Sequence, residues 1–311
     1  MKKSAIVRII VWSLTALILV GVMVLVMAFS ANFQWDDMEN FNLGFVGESY
    51  SNSGEYEVGS ASFSENIKDI KIHWTSGSVT IETYDGDTLE ISEEEISDSD
   101  WQMRHRLRDG KLTIRFKKSS GFWSFGRTPK KQLTVKIPEK MLDGMNTLSV
   151  DGVSAKVSVS DVVLSKKLQI DTVSGDVTLS DVQVREFEMD SVSANLTATR
   201  FTVNEFDFDT VSGNATIDGS VEKVKFDTTS GNLKVTSSVV PGEIDFSSIS
   251  GDCRLDIPEG KGFTAELDTV SGKIDCDFPT INKGKKIVSG NGAAEFDFDT
   301  VSGDVVIRIA E

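Results

Sequence analysis

The chain has 311 residues, a formal net charge of −16 at pH 7 and a sequence pI of about 4.6. An acidic balance of this size disfavours nucleic acid and anionic lipid as partners, and it favours cationic partners or metal ions held by carboxylates. The same balance also keeps an exported protein soluble, which requires no partner.

The first predicted element is a transmembrane helix over residues 9–29. This stretch carries no charge and is long enough to cross the hydrocarbon core of a bilayer. Basic residues precede it and acidic residues follow it, so the positive-inside rule places residues 1–8 in the cytoplasm and the later domain outside. Small residues around Ala28 leave signal-peptidase cleavage open as the alternative. Residues 30–60 are polar and weakly patterned, and we interpret them as a stalk or an N-terminal cap.

A repeat of about 20 residues fills the remainder, residues 61–311. Its signature is the tripeptide Val-Ser-Gly or a close variant, and the spacings from Ala155 to Gly272 are 20, 19, 19, 18, 20 and 21 residues. The nine copies end at Gly77, Ala155, Gly175, Ala194, Gly213, Gly231, Gly251, Gly272 and Gly303. A fixed period of this length is typical of stacked supersecondary units.

Two short strands flank each tripeptide. When its last residue is numbered zero, positions −7, −5, +2 and +4 are apolar in all nine units of a chain that is 39% hydrophobic. The positions between them are nearly all polar, which indicates strands with one buried face. Several units add a third apolar pair, such as Val182 and Val184. We therefore predict an all-β fold, a parallel β-solenoid (β-helix), with an antiparallel sandwich as the alternative.

Stacked rungs place equivalent positions on top of one another. Phe208, Phe226 and Phe246 should form one aromatic ladder in the interior. Cys253 and Cys276 occupy positions +2 and +4 of consecutive units, where a diagonal separation of about 7–8 Å is too long for a disulfide. We expect two buried, free thiols that act as small apolar side chains.

Aspartate occupies position −4 in most units, and stacking would align these carboxylates in an outward row. Like charges opposite one another are destabilising, so something must offset them. One interpretation is local, with each Asp accepting hydrogen bonds from the backbone of the corner. The other is Ca²⁺ shared between rungs, with Asp171, Asp190, Asp209 and Asp227 as candidate metal ligands. Ca²⁺ is the single cofactor that the sequence suggests, although the Gly-Gly-rich nonapeptide repeat of calcium-binding solenoids is absent.

Residues 117–131 form a basic and aromatic loop without a carboxylate. The candidate partner-contact residues are Lys117, Lys118, Phe122, Trp123, Phe125 and Arg127. Strand-like flanks at 112–114 and 133–135 suggest a hairpin tip, and an acidic cluster at 93–100 should be a solvated face able to pair with its cations. Such a loop could enter a lipid headgroup layer, stack on a sugar or dock a protein, or it could be a flap that covers the solenoid.

The repeat is interrupted between Gly272 and Gly303, where turn signals suggest a loop that covers the last rung. Catalysis finds little support in the sequence. His73 and His105 are the two histidines, and we find no zinc-type spacing, phosphate loop or nucleophile elbow. We predict no enzyme and no catalytic residue, because the uniform aspartate column singles out no acid–base pair.

Several motifs together resemble a bacterial family of adhesin-like proteins of unknown function with β-strand repeats. They are the opening at 74–81, the strand 133–138, the Asp-Thr-Val-Ser-Gly-Asp-Val rungs and the turn at 290–292, and the likeness covers residues 60–311. The resemblance implies a single-span or exported envelope protein, and it carries no established binding or catalytic residue. Some such proteins are similar to ones found beside small transcriptional regulators, which implies envelope sensing.

The sequence thus predicts a bacterial, membrane-anchored, extracytoplasmic module for binding or adhesion, which contacts a cell-surface polymer or an envelope protein. One alternative is an envelope-sensing regulatory scaffold coupled to a partner in the same membrane. The other alternative is a carbohydrate-active β-helix enzyme.

Overall fold

The computed structural model describes residues 55–94, 96–117 and 129–310, which are all-β apart from one short helix, α1 (Glu139–Leu142). The strands are β1 (Glu57–Val58), β2 (Ala61–Phe63), β3 (Asp69–Tyr84), β4 (Leu89–Glu93), β5 (Arg104–Arg108), β6 (Lys111–Arg115), β7 (Lys131–Pro138), β8 (Thr147–Ser160), β9 (Val163–Thr172), β10 (Val177–Ser180), β11 (Gln183–Ser191), β12 (Leu196–Thr210), β13 (Ala215–Thr228), β14 (Leu233–Ser237), β15 (Glu243–Ser248), β16 (Cys253–Ile257), β17 (Phe263–Thr269), β18 (Ile274–Cys276), β19 (Thr280–Lys283), β20 (Lys286–Ser289), β21 (Ala294–Thr300) and β22 (Val305–Ile309). Within these ranges no helix has the length and apolar character to span a bilayer. The segment predicted to do so, 9–29, lies outside them.

Successive repeats stack in parallel, which gives a solenoid-like fold. Strand β12 pairs in parallel with both β11 and β13, and equivalent positions of the three lie in register. Val177, Leu196 and Ala215 form one continuous row, and each is 1% exposed. This row confirms the stacking that the repeat predicts, and the parallel register is incompatible with an antiparallel sandwich of these repeats.

Each rung contributes one strand before the corner tripeptide and one after it. We call the strands that carry positions −7 and −5 the first stack, and those that carry +2 and +4 the second stack. The apolar columns of both stacks point inward and are buried, except at Leu267, Ile274 and Cys276. The third apolar pair is also inside, since Val184 lies in register with both Leu164 and Val203.

The aromatic ladder is present as predicted. Phe226 is fully buried between Phe208 and Phe246, with ring centroids 5.3 Å and 5.9 Å away. Edge-to-face and offset-stacked rings of this kind add about 0.5–1.5 kcal/mol per pair beyond the burial of apolar area. The ladder therefore joins three rungs through side chains as well as through the backbone.

The corner glycines face inward because the rungs approach one another closely there. A Cβ atom on Gly175 would lie 1.8 Å from the carbonyl oxygen of Ala155, and one on Gly231 would lie 1.9 Å from that of Gly213. Of the corner glycines, Gly77 alone has a positive φ, at 101°. The requirement is therefore mainly for space, as the alanines at two corners already indicate.

At the N-terminal end, chain order and spatial order differ. Strands β6 and β7 do not pair with each other as the predicted hairpin requires; they pair in parallel with the two halves of β3. Together they form the first parallel rung of the stack. Strands β5 and β4 then add in antiparallel orientation to β6 and β7, and β1 and β2 complete these layers.

At the other end, the last repeat in sequence is not the last rung in space. Strands β21 and β22 lie between the rung of β15 and β16 and the rung of β17 and β18. Cys253 and Cys276 therefore do not lie on adjacent rungs, as the sequence had suggested, because the rung of Val305 separates them. Both thiols are free, Cys253 is buried and Cys276 is half-buried.

The interruption between Gly272 and Gly303 is a hairpin of β19 and β20. Strand β20 pairs antiparallel with β17, so this segment extends the first stack beyond the rung of Gly272. The predicted cover of the last rung is therefore present in the first stack, but the last rung in space is that of Gly272 and not the last repeat in sequence. That repeat is internal and needs no cover.

Candidate functional site, an acidic sheet face

The outward side of the first stack is a surface rich in carboxylates. Outward side chains alternate with the buried ones along a strand, so positions −8, −6 and −4 of every rung share this side. We call it the acidic face. Its carboxylates are Asp69, Asp151, Asp171, Glu186, Glu188, Asp190, Glu205, Asp207, Asp209, Asp227, Glu243, Asp245, Glu266, Asp268, Glu295, Asp297 and Asp299.

Parallel register brings like charges next to one another on this face. Asp190 lies in register between Asp171 and Asp209, and Glu188 lies beside Asp207. Neighbouring strands are about 4.8 Å apart, and like charges at that distance repel. The alignment that stabilises the core therefore concentrates negative charge outside.

Lysines within the face offset part of this repulsion. The Nζ atom of Lys225 lies 2.8 Å from Asp207, 3.4 Å from Asp209 and 3.3 Å from Asp227. Burial lowers the pKa of Lys225, but the hydrogen bond to Asp207 and the charges of the other two carboxylates outweigh it and raise the pKa.

A second lysine acts in the same way three rungs away. The Nζ atom of Lys167 lies 3.0 Å from Glu186 and also contacts Glu188. At the N-terminal end of the face, Nζ of Lys71 lies 3.7 Å from Asp151. Cations are thus spaced along the face, with carboxylates between them.

Proton uptake is the other means of relieving the repulsion. Burial, followed by the charges of Asp151, Asp190 and Glu188, raises the pKa of Asp171 to about 7. Burial also raises the pKa of Asp209 to about 7, against the opposing effect of its lysine neighbour. Some of these carboxylates consequently titrate close to neutral pH.

The local interpretation of the aspartate column is wrong in its detail. The corner N–H group is bound by threonine at position −3: Gly213 N–H donates to Thr210 Oγ1 at 3.0 Å, and Gly231 N–H donates to Thr228 Oγ1 at 2.8 Å. Threonine therefore accepts the corner hydrogen bond that was predicted for aspartate. The aspartates of the face are not needed for that hydrogen bond.

The calcium prediction for Asp171, Asp190, Asp209 and Asp227 finds no preformed site. Among the residues that the structure describes, no group of three or more His, Cys, Asp or Glu side chains is placed to hold a metal ion. Register puts these four aspartates in one row, and Lys225 contacts two of them. Metal binding by this row remains a prediction.

A ladder of asparagines and aspartates at position +1 was missed from the sequence. The Oδ1 atom of Asn195 accepts from the backbone N–H and the side-chain amide of Asn214, at 3.1 Å and 3.0 Å. Asn232 repeats both contacts on Asn214, and Asp176 and Asp252 continue the ladder. The signal was the recurrence of Asp or Asn directly after the corner glycine or alanine.

The basic and aromatic loop is described only at its two ends. Lys118, Phe122, Trp123, Phe125 and Arg127 lie outside the described residues. Lys117 Nζ stands 4.4 Å from the ring centroid of Trp101.

Lys131, at the other end of the loop, is fully buried and not part of a surface patch. Its Nζ atom donates to Glu93 Oε2 at 2.6 Å and to the carbonyl oxygens of Trp101 and Phe116. Burial lowers its pKa, while Glu93 acts in the opposite direction. The predicted pairing of the acidic cluster with a loop cation is present between Glu93 and Lys131, but both side chains are buried and not solvated.

Comparison with known proteins identifies the family of the chain. Residues 67–308 match the family described as Toastrack DUF4097. No curated protein matches the chain.

Three solved bacterial structures are similar over most of the chain. A "putative lipid binding protein" from Parabacteroides distasonis ATCC 8503 is 15% identical, with 82% of this chain and 97% of that one covered and a TM-score of 0.43. A "putative adhesin" from Bacteroides fragilis NCTC 9343 is 10% identical, with 81% and 97% covered and a TM-score of 0.36. A "putative cell adhesion protein" from Clostridium sporogenes ATCC 15579 is 11% identical, with 81% and 99% covered and a TM-score of 0.22.

Proposed function

The chain belongs to the Toastrack DUF4097 family, and from that premise we propose that it is a non-catalytic binding module, a parallel β-solenoid whose acidic face holds a cationic partner. The observation that carries the proposal is the alignment of three outward columns rich in carboxylates on one flat sheet. A partner with evenly spaced positive charge would match this array.

Electrostatics supports a partner at this face. Carboxylates outnumber the lysines that lie among them, and the pKa values of Asp171 and Asp209 are raised by burial and by neighbouring charge. A polycation would replace the repulsion between rungs with attraction, so binding would also stabilise the fold. A surface of predominantly negative charge also steers a cationic partner and accelerates its association.

The uniformity of the face supports binding over catalysis. The same residue type recurs at position −4 from rung to rung, whereas acid–base chemistry needs two carboxyl groups with different environments and different roles. A repeated surface suits a repeated partner, such as a cell-surface polymer or an extended protein segment.

The location is part of the same proposal. Residues 9–29 form an uncharged stretch flanked by basic residues before it and acidic residues after it. We infer that this segment anchors the chain in the cell membrane as a single span, with the solenoid on the extracytoplasmic side. A cationic envelope protein or wall polymer would then meet the acidic face directly.

Binding of the full chain, solubilised in detergent, to poly-L-lysine tests the proposal by titration calorimetry. The test variant combines two charge reversals at exposed −8 positions of the acidic face, Glu205→Lys and Glu295→Lys. It should keep the fold because both side chains point to solvent. We expect this double variant to bind at least tenfold more weakly than the natural chain. Crosslinking and pull-down from intact cells would then identify the physiological partner.

The matched control places the same charge change elsewhere, with Asp218→Lys and Glu259→Lys, which are exposed and lie off the acidic face. This double variant should bind within twofold of the natural chain. Equal losses in both double variants would show that net charge, and not the aligned columns, determines binding, and the proposal would then be wrong.

A further inference from the structure

A row of mostly apolar side chains, each exposed or half-buried, runs along the corner of the solenoid. The residue before the corner serine, at position −2, is apolar and β-branched in nearly every rung. We call this row the valine ridge; in spatial order it contains Val153, Val173, Val192, Val211, Thr229, Ile249, Val301 and Val270. With rungs about 4.8 Å apart, the ridge is roughly 34 Å long.

Main-chain hydrogen bonds hold the ridge in line. Ser193 N–H donates to the carbonyl oxygen of Val173 at 2.9 Å, and Ser212 N–H donates to that of Val192 at 3.0 Å. The side chain at −2 takes no part in these bonds, and Thr229 occupies the position in one rung. The corner therefore does not require an apolar residue at −2.

The exposure of the ridge is accordingly unexplained by folding. Val153 is 42% exposed, Val192 is 38% exposed and Val270 is 81% exposed, and the other members of the ridge are half-buried. Contiguous exposed apolar surface usually marks a site of interaction.

The corner is also a neutral strip in a strongly acidic protein. Positions −3 to 0 carry no charged residue in any of the nine units, although 26% of the chain is charged and its net charge is −16. A second copy would be repelled by the acidic face and would meet no like charge here. We propose that the valine ridge is a lateral contact between two copies of this chain.

The repeat itself favours a second copy as the occupant. A partner that contacts every rung of the ridge must present contact groups with the same spacing as the rungs. A second copy of this chain has that spacing because it has the same fold. Lipid would meet the ridge at a corner bordered by the acidic face, where Asp190 and Asp209 lie close behind, which disfavours a membrane surface.

The size of the ridge sets the strength of the contact. A strip roughly 34 Å long and about 10 Å wide buries roughly 300–400 Å² per copy, below the about 800 Å² per partner of a stable interface. Two copies should therefore associate weakly in dilute solution and more strongly when tethered close together in one membrane. The contact does not depend on the cationic partner proposed above.

Cysteine crosslinking in the full chain tests the contact. In a Cys276→Ser background, Val211→Cys places one thiol near the middle of the ridge, where it faces its own equivalent whether the two copies lie parallel or antiparallel. Reconstitution in phosphatidylcholine vesicles at increasing protein-to-lipid ratio, followed by a short bis-maleimide, should give a dimer that grows with density. Val163→Cys is the matched control, because Val163 is 44% exposed but lies off the ridge, and it should crosslink at least tenfold less.

A second variant shows whether the ridge causes the association. Val192→Lys should reduce dimer formation at least tenfold, whereas Val163→Lys should leave it unchanged. Circular dichroism checks that each variant is folded. Titration with poly-L-lysine checks that the acidic face of each variant is intact. Equal crosslinking at positions 211 and 163, absence of any dimer at high density, or unchanged association of Val192→Lys would overturn the proposal. A lipid-dependent blue shift of a polarity-sensitive dye on Val211→Cys at low protein density would also overturn it, because the ridge would then contact membrane.

Discussion

The acidic face makes a specific prediction about pH, centred on Asp171→Asn. Burial and the neighbouring carboxylates raise the folded pKa of Asp171 from 3.8 to about 7. A raised pKa means that the folded state binds the proton of Asp171 more tightly than the unfolded state does. The resulting contribution to the free energy of unfolding is fully present below the unfolded pKa and is lost as pH rises through the folded pKa. The natural chain should therefore be more stable at pH 5 than at pH 8.

The magnitude follows from the difference between the two pKa values. A difference of roughly three pH units corresponds to about 4 kcal/mol for a fully buried group. Asp171 is only partly buried, and solvent screening reduces the expected effect to about 1–2 kcal/mol. Asparagine keeps the shape and removes the charge, so Asp171→Asn should stabilise the protein by about this amount at pH 8 and by less at pH 5.

Urea unfolding of the full chain, followed by circular dichroism at both pH values, measures the effect. The control is Asp181→Asn: Asp181 is half-buried, and its hydrogen bonds to Arg200 and Ser180 lower its pKa, so this substitution should destabilise instead. If Asp171→Asn shifted the unfolding midpoint equally at pH 5 and pH 8, or if the natural chain were less stable at pH 5, the electrostatic account of the face would be refuted.

Three further substitutions test separate features by the same unfolding assay. Lys225→Met removes the cation shared by three carboxylates and should cost about 1 kcal/mol at pH 8 and less at pH 5; a larger loss at pH 5 would contradict this. Gly231→Ala should cost about 1–3 kcal/mol because its Cβ would meet a backbone oxygen at 1.9 Å, whereas Gly242→Ala, with its nearest atom at 3.7 Å, should change stability by less than about 0.5 kcal/mol. Lys131→Met should cost about 3–5 kcal/mol because it leaves Glu93 buried without its cation. Adding Glu93→Gln should restore most of that loss, and a double variant as unstable as the single one would show that packing dominates.

The repeated part of the fold was predictable from sequence because its signal is local and recurs. Val177, Leu196 and Ala215 share one position in the repeat, and they share one buried row. Three further columns were readable by the same parity and were overlooked: the carboxylates at −8, those at −6, and the apolar residues at −2. The aspartate row at −4 was recognised, but its role at the corner belongs to threonine.

The ends of the stack were not predictable, for a physical reason. Every rung presents nearly the same edge, so the sequence of one repeat does not determine which other repeat pairs with it. The position of Val305 between Cys253 and Cys276 depends on a hairpin that occurs once. The burial of Lys131 likewise depends on Glu93, which is far away in sequence and carries no periodic signal.

The internal position of the last repeat has a consequence for how the molecule is completed. Strands β17 and β18 are synthesised before β21 and β22, yet they reach the rest of the stack only through them. The rung of Gly272 must therefore wait, undocked, until the final strands have left the ribosome. Deleting those strands would detach two rungs at once, so we expect truncated products to expose sheet edges and to be removed by proteolysis.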